Sequence, residues 1–296
     1  MAHEVTMLLS GIWRQLQLIA PYWAAGLLVG SFASVYLLDK IAVKMSGLSG
    51  AKGSRLPHIC IASFLGIASP LCMFGTVPVI AALGKKGLPA YLLAAFMISS
   101  VMLNPNLLML TAVLGRNLAL MRFVFVLVAG VLAGVLVRLL GEKKQLFLFE
   151  RFEPQGKCAK KSFLSDLAKA FRITAPYLLF GVALTAVLDR YIPPEWIYGM
   201  FGARRGLGVL FATTLSIPLY ACGGGVMPLI NAWLHAGMGR GDALAFMLAG
   251  PATKINSLSA VKMILGRRVF VVYLVYCLVF AITVGLLVEV MFYRFV

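Results

Sequence analysis

Long apolar blocks decide what this chain can fold into. Residues 16–38, 59–83, 88–114, 123–139, 173–188, 207–234, 243–265 and 269–292 are each apolar over most of their length. A helix needs about 20 apolar residues to cross the hydrocarbon of a bilayer. A single soluble core could not hide these blocks, because 61% of the residues are hydrophobic and only 12% are charged, against about 25% charged in a soluble domain. The fold class is therefore an all-α integral membrane protein. Residues 1–10 lack a basic stretch leading into a cleavage site, so the first block is expected to stay as a membrane helix. The net charge of +17 comes from Lys and Arg between the blocks, where inner-face loops and anionic lipid account for it. No basic patch is interleaved with stacking aromatics, so no nucleic-acid partner is expected.

The chain reads as two related halves. Ala20-Pro21-Tyr22 reappears as Ala175-Pro176-Tyr177, and Asp39-Lys40 as Asp189-Arg190. Cys72, Gly75 and Pro78 match Cys222, Gly225 and Pro228 at an offset of 150, as Ala95-Phe96-Met97 matches Ala245-Phe246-Met247. Leu114-Gly115-Arg116 matches Leu265-Gly266-Arg267 at 151. Bilayer composition produces chance matches of Leu or Ala, but not a shared order of Pro, Tyr, Cys, Asp and Gly. The expected organisation is a first membrane repeat over 1–140, a polar cytoplasmic linker over 141–172 and a second membrane repeat over 173–296. Pro and Gly interrupt block 59–83 and its counterpart 207–234. If both are re-entrant, each half crosses three times, the copies are inverted and the termini face outward. If both span, there are eight crossings and parallel copies. The inverted arrangement places more of the Lys and Arg on the inner face, as the positive-inside rule prefers.

Matching interruptions in two repeats are the best sequence pointer to a transport site. Freed backbone groups are tolerated at that depth only inside protein or beside a watery cavity. The first pair of breaks contributes Cys72, Met73 and Gly75, with Tyr220, Cys222, Gly223, Gly224 and Gly225 opposite. The second pair falls at Asn104-Pro105-Asn106 and at Gly250-Pro251-Ala252-Thr253-Lys254-Ile255-Asn256. Asn104, Asn106, Thr253, Lys254 and Asn256 complete the substrate-binding candidates. Lys254 is read as the one charge deep in the apolar blocks, where a cation costs at least about 2.5–3.5 kcal/mol. Its bland alternative is that it caps carbonyls freed by Pro251. All ten acidic residues lie outside the blocks or near their ends, so a bare hard cation is a poor substrate and an anionic or neutral solute fits better. Cys72 and Cys222 are weak candidates for a soft metal. The five cysteines form no paired spacing, and no disulfide framework is expected.

Pro70-Leu71-Cys72, Gly75 and Pro78, then Lys86-Gly87 and Ala95-Phe96, resemble a family of predicted permeases that includes the ArsP-type organoarsenical exporters. The second half is similar over Ile217-Pro218-Leu219-Tyr220-Ala221-Cys222 and Ala245-Phe246-Met247-Leu248-Ala249-Gly250-Pro251-Ala252-Thr253. The resemblance implies a multi-pass permease of the bacterial inner (plasma) membrane, moving a small molecule or ion, with efflux as the direction. Metal-linked relatives carry a second cysteine in the first motif where this sequence has Phe74. A channel and the membrane subunit of a larger transport complex are the alternatives, and homo-oligomerisation stays open. No HExxH, GxSxG or intramembrane Asp/His pair is present, so neither an enzyme nor a cofactor is expected.

Overall fold

The computed structural model describes residues 55–69, 71, 76, 79–80, 83–84, 88–140, 201, 207–220, 223–253 and 255–294, with scattered positions in 10–28 and 164–172. Side chains at 218, 223–225, 255–261, 263–265 and 292–294 lie outside the description. Every regular element among the described residues is a helix. In chain order these are α1 (Arg55–Ala68), α2 (Ala90–Met102), α3 (Pro105–Ala112), α4 (Arg116–Leu139), α5 (Leu207–Leu219), α6 (Gly223–His235), α7 (Arg240–Thr253) and α8 (Ile255–Arg294). α8 is broken at Gly266, which takes φ 86° and ψ 167°.

Among the described residues three stretches are long and apolar enough to cross a membrane: Ala90–Ala112, Arg116–Leu139 and Gly266–Met291. Their outer faces are apolar as well. On α4, Leu120, Val124, Val128, Leu132 and Leu136 are exposed at four-residue spacing, and on α8 Val271, Val275, Val279, Leu286 and Val290 are exposed at spacings of four and seven. A water-facing helix carries its apolar stripe inward. Here the outward stripe has hydrocarbon as its solvent, while α2 and α7 bury nearly every residue. α1 and α5 are apolar but shorter. They coincide with the two interrupted blocks.

Glycines set how closely these helices approach. A Cβ on Gly134 of α4 would lie 2.6 Å from Ile59 Cγ2, 3.0 Å from the Tyr91 carbonyl oxygen and 3.2 Å from Ala95 Cβ. A Cβ on Gly285 of α8 would lie 2.7 Å from Val209 Cγ1, 2.8 Å from Ala245 Cβ and 3.1 Å from the Gly241 carbonyl oxygen. The contacts at one glycine are those at the other, shifted by the offsets seen in the sequence. Small residues at such crossings let backbones meet where no hydrophobic effect drives helices together. Both glycines that precede these long helices, Gly115 (φ 126°) and Gly266 (φ 86°), have positive φ, a region open to glycine alone without strain.

Helix directions follow from the same contacts. α1 and α2 run side by side in one direction: Ile59 and Tyr91 meet at Gly134, while Ser69 and Thr76 both bond Ser100. α5 and α7 do likewise, with Gly208 against Asp242 and Tyr220 against Gly250. Phe201 packs on Trp233 at 5.5 Å, and its carbonyl lies against Gly208. The start of α5, the end of α6 and the start of α7 therefore share one end of the molecule. Arg116 and Arg240 line one cavity at that end. α2 starts from the other end, beside Gly134. α4 connects the two, its 24 residues spanning about 36 Å.

Candidate functional site

The second break in the first half forms as expected. Leu103 and Asn104 are extended, and Pro105 opens α3 at a position where its missing N–H costs nothing. Asn104 Oδ1 accepts the Leu107 N–H at 2.8 Å, so this side chain caps α3. Asn104→Ala is expected to cost about 1 kcal/mol, read as an earlier melt of the purified protein. Asn106 Oδ1 is buried with no hydrogen-bond partner.

The corresponding break in the second half falls within the expected stretch, between the end of α7 at Thr253 and the start of α8 at Ile255, but not at its proline. Gly250 and Pro251 do not interrupt α7, which continues to Thr253. Proline lacks the N–H that would bond the carbonyl four residues back, here that of Met247. Arg122 supplies the missing donor. Its Nη2 donates to Met247 O at 2.9 Å and to Met102 O, at the end of α2, at 3.3 Å, while Nη1 donates to Thr111 Oγ1 at 2.6 Å. Thr253 Oγ1 donates to Ala249 O and Tyr273 OH to Ala252 O, so further carbonyls at this helix end are met.

Arg122 is a candidate site residue that the sequence pattern hides. The apolar block begins at Phe123, which makes Arg122 look like a flanking charge. It is instead fully buried, and its Nε has no partner. Lys254 is thus not the one deep cation, and Asp242 is buried too, at 2% exposure. Among the described residues no carboxylate pairs with Arg122; a hydroxyl and two carbonyls solvate it. The phenol of Tyr220 lies close enough to interact with it electrostatically. Tyr220 sits over Gly250, where a Cβ would overlap its ring, and packs on Phe246 at 6.3 Å.

Beside the first interrupted block runs a row of buried hydroxyls that the sequence does not single out. Ser63 and Ser99 share a hydrogen bond of 2.7 Å, Ser69 and Ser100 one of 3.0 Å, and Thr76 and Ser100 one of 2.8 Å. Gly130 makes room for the first pair, since a Cβ there would overlap Ser99 Oγ. Scattered serines in apolar blocks look like ordinary helix composition, and only the packing of α1 on α2 collects them. In the second half the position of Ser100 is Gly250, and Tyr220 fills the space. The first half thus presents hydroxyls where the second presents an aromatic ring.

Cys72, Met73, Gly75, Cys222 and Lys254 lie outside the described residues, as does the side chain of Asn256. Gly223, Gly224 and Gly225 form the first turn of α6. Tyr220 lies beside Arg122, the Thr253 hydroxyl bonds within α7, and Asn106 lies on the helix that carries Thr111. Among the described residues no group of three or more His, Cys, Asp or Glu could hold a metal.

Residues 5–290 match a family described as a predicted permease. Of individual proteins, a Streptococcus mutans protein named as a two-component membrane permease complex subunit is 26% identical over 256 residues, 82% of this chain and 81% of its own length. The UPF0718 protein MJ0584 of Methanocaldococcus jannaschii is 28% identical over 125 residues, 42% of this chain and 34% of its own length. The UPF0718 protein YcgR of Bacillus subtilis is 29% identical over 111 residues, 38% of this chain and 36% of its own. The chain thus spans about a third of the length of these last two relatives. No solved structure matches the chain.

Proposed function

Because the chain belongs to the predicted permease family, a multi-pass protein of the cell membrane, we propose that it exports a small solute along a route between two inverted halves. The observation that carries this reading is Arg122, which bonds the last turn of α2 in one half and the proline-freed carbonyl of α7 in the other. Those two helices start from opposite ends of the molecule and meet at Arg122. Substrate sites of repeat-built transporters sit at such junctions, and the halves rock about them. The parallel paths of α1 with α2 and of α5 with α7 support a re-entrant reading of both interrupted blocks. Cys72, Met73, Gly75, Asn106, Tyr220, Cys222, Thr253, Lys254 and Asn256 are the proposed contacts of the solute.

Topology tests the inversion. In a cysteine-free background, Ala112→Cys and His235→Cys are expected to label with an impermeant maleimide on intact cells, and Leu140→Cys only after permeabilisation. With eight crossings, positions 112 and 235 would face opposite compartments, and labelling of one without the other sinks the inverted arrangement. Transport tests the function. Purified protein is expected to be stabilised by at least one of oxyanions, organoarsenicals, Cu(I), Zn²⁺ or small thiols, and to move the same solute across liposomes. Failure with every class would overturn the solute route.

A second reading draws on the Streptococcus relative's name: this chain works as one subunit of a two-component permease complex. Its test is isolation of the tagged chain from its native membrane. A second integral protein in fixed stoichiometry supports the complex, and a chain that transports alone in liposomes rejects it.

A further inference from the structure

The turn between α3 and α4 and the turn between α6 and α7 flank an open cavity of about 720 Å³. Its polar lining is two arginines, two amides and an imidazole: Arg116, Arg240, Asn117, Asn231 and His235. No described carboxylate lines it, because Asp242 and Glu289 lie behind it against Gly239 and Gly241, where Glu289 Oε2 accepts the Gly241 N–H. α4 begins at the cavity with no side-chain cap and no acidic residue in its first turn. Its first N–H groups and its dipole therefore favour an anion there. Leu118 also lines the cavity, and Arg122 follows it at four-residue spacing, on the same helix face and one turn deeper. That guanidinium is fully buried and keeps an unpartnered Nε–H.

We propose that this cavity binds a tetrahedral oxyanion, with Arg116 and His235 as its recognition groups and Arg122 as the next cation inward. Guanidinium groups suit such ligands because their planar donors match two oxygens at once, and a focused positive field raises the local anion concentration. The place of the site on a solute route rests on the permease reading; binding itself does not, so the two can fail separately.

The experiment titrates inorganic phosphate and sulfate into the full-length protein in neutral detergent, followed by calorimetry and by melting temperature. Saturable binding is expected for the wild type. Arg116→Gln and His235→Gln should each weaken it about tenfold, the worth of one charge-assisted hydrogen bond. Arg138→Gln makes the same charge change at the far end of α4 and should leave binding unaltered. Absence of saturable binding, or equal weakening by Arg138→Gln, overturns the site. A phosphate-bearing lipid offers the same chemistry. If phosphatidylglycerol in nanodiscs occupies the cavity while free phosphate and sulfate do not bind, the site belongs to a headgroup and its place on the solute route is refuted. Loss of binding in Arg116→Gln with transport of neutral solutes intact upholds the site and separates it from the rest of the route.

Discussion

Valine at Gly134 and valine at Gly285 are expected to fail in the same way and by similar amounts. Each added side chain would start from a Cβ that already overlaps a neighbouring helix: 2.6 Å from Ile59 in the first case and 2.7 Å from Val209 in the second. The backbone carbonyls of Tyr91 and Gly241 close the other side at 3.0 and 3.1 Å. A carbonyl cannot swing away as a side-chain end can, so the helices must separate. Overpacking of this kind costs about 1–3 kcal/mol for one added group and more for a branched one, a large share of the roughly 5–15 kcal/mol that holds a typical domain. Both variants should emerge as aggregates, or melt far below the wild type, by size exclusion and thermal unfolding in detergent. Gly115→Ala and Gly266→Ala are the internal contrast. No atom stands within 4 Å of either new Cβ, so only the positive-φ strain of about 1–3 kcal/mol remains. Wild-type melting of one valine variant beside collapse of the other would show that the two crossings are not equivalent, and the repeat reading would lose its packing basis.

The membrane class and the twofold pattern are legible in the sequence for a common reason. Both are carried by residues whose meaning is local: runs of apolar side chains, and Gly or Pro at fixed offsets. Gly115 and Gly266 pair on their sequence offset alone, because a helix starting after a positive-φ residue demands glycine in both copies. The break at Asn104-Pro105 is legible too, since an amide before proline is a helix start. A break at Pro251 is not, because whether a proline ends a helix depends on who satisfies the carbonyl it orphans. That partner, Arg122, lies 125 residues away in sequence. Its role is hidden by its position at the edge of an apolar block, where a long basic side chain ordinarily reaches for water. The hydroxyl row from Ser63 to Thr76 is hidden differently. Each member is ordinary alone, and the set exists only once α1 lies along α2.

Replacing Arg122 by methionine is expected to destabilise the protein strongly, and removing Pro251 at the same time should recover part of the loss. Arg122→Met keeps an apolar stem but leaves Met247 O, Met102 O and Thr111 Oγ1 without their shared donor. A buried carbonyl left unpaired costs about 1–3 kcal/mol. In Pro251→Ala the new N–H can close the ordinary helical bond to Met247 O. The double variant should therefore melt above Arg122→Met, with a coupling of about 1–3 kcal/mol between the two sites. Recovery is partial because Met102 O still lacks its partner. Equal melting of the single and double variants would show that the proline-freed carbonyl is not what Arg122 serves. Transport by the double variant then separates the two duties of this residue. If the guanidinium only joins backbone carbonyls across the halves, restored stability should bring restored transport. If its charge and unfilled Nε–H also meet the solute, the double variant folds, melts above Arg122→Met and moves nothing. We expect the second outcome. A buried cation bonded to a hydroxyl and two carbonyls beside the Tyr220 phenol, with no carboxylate paired to it among the described residues, attracts an anion.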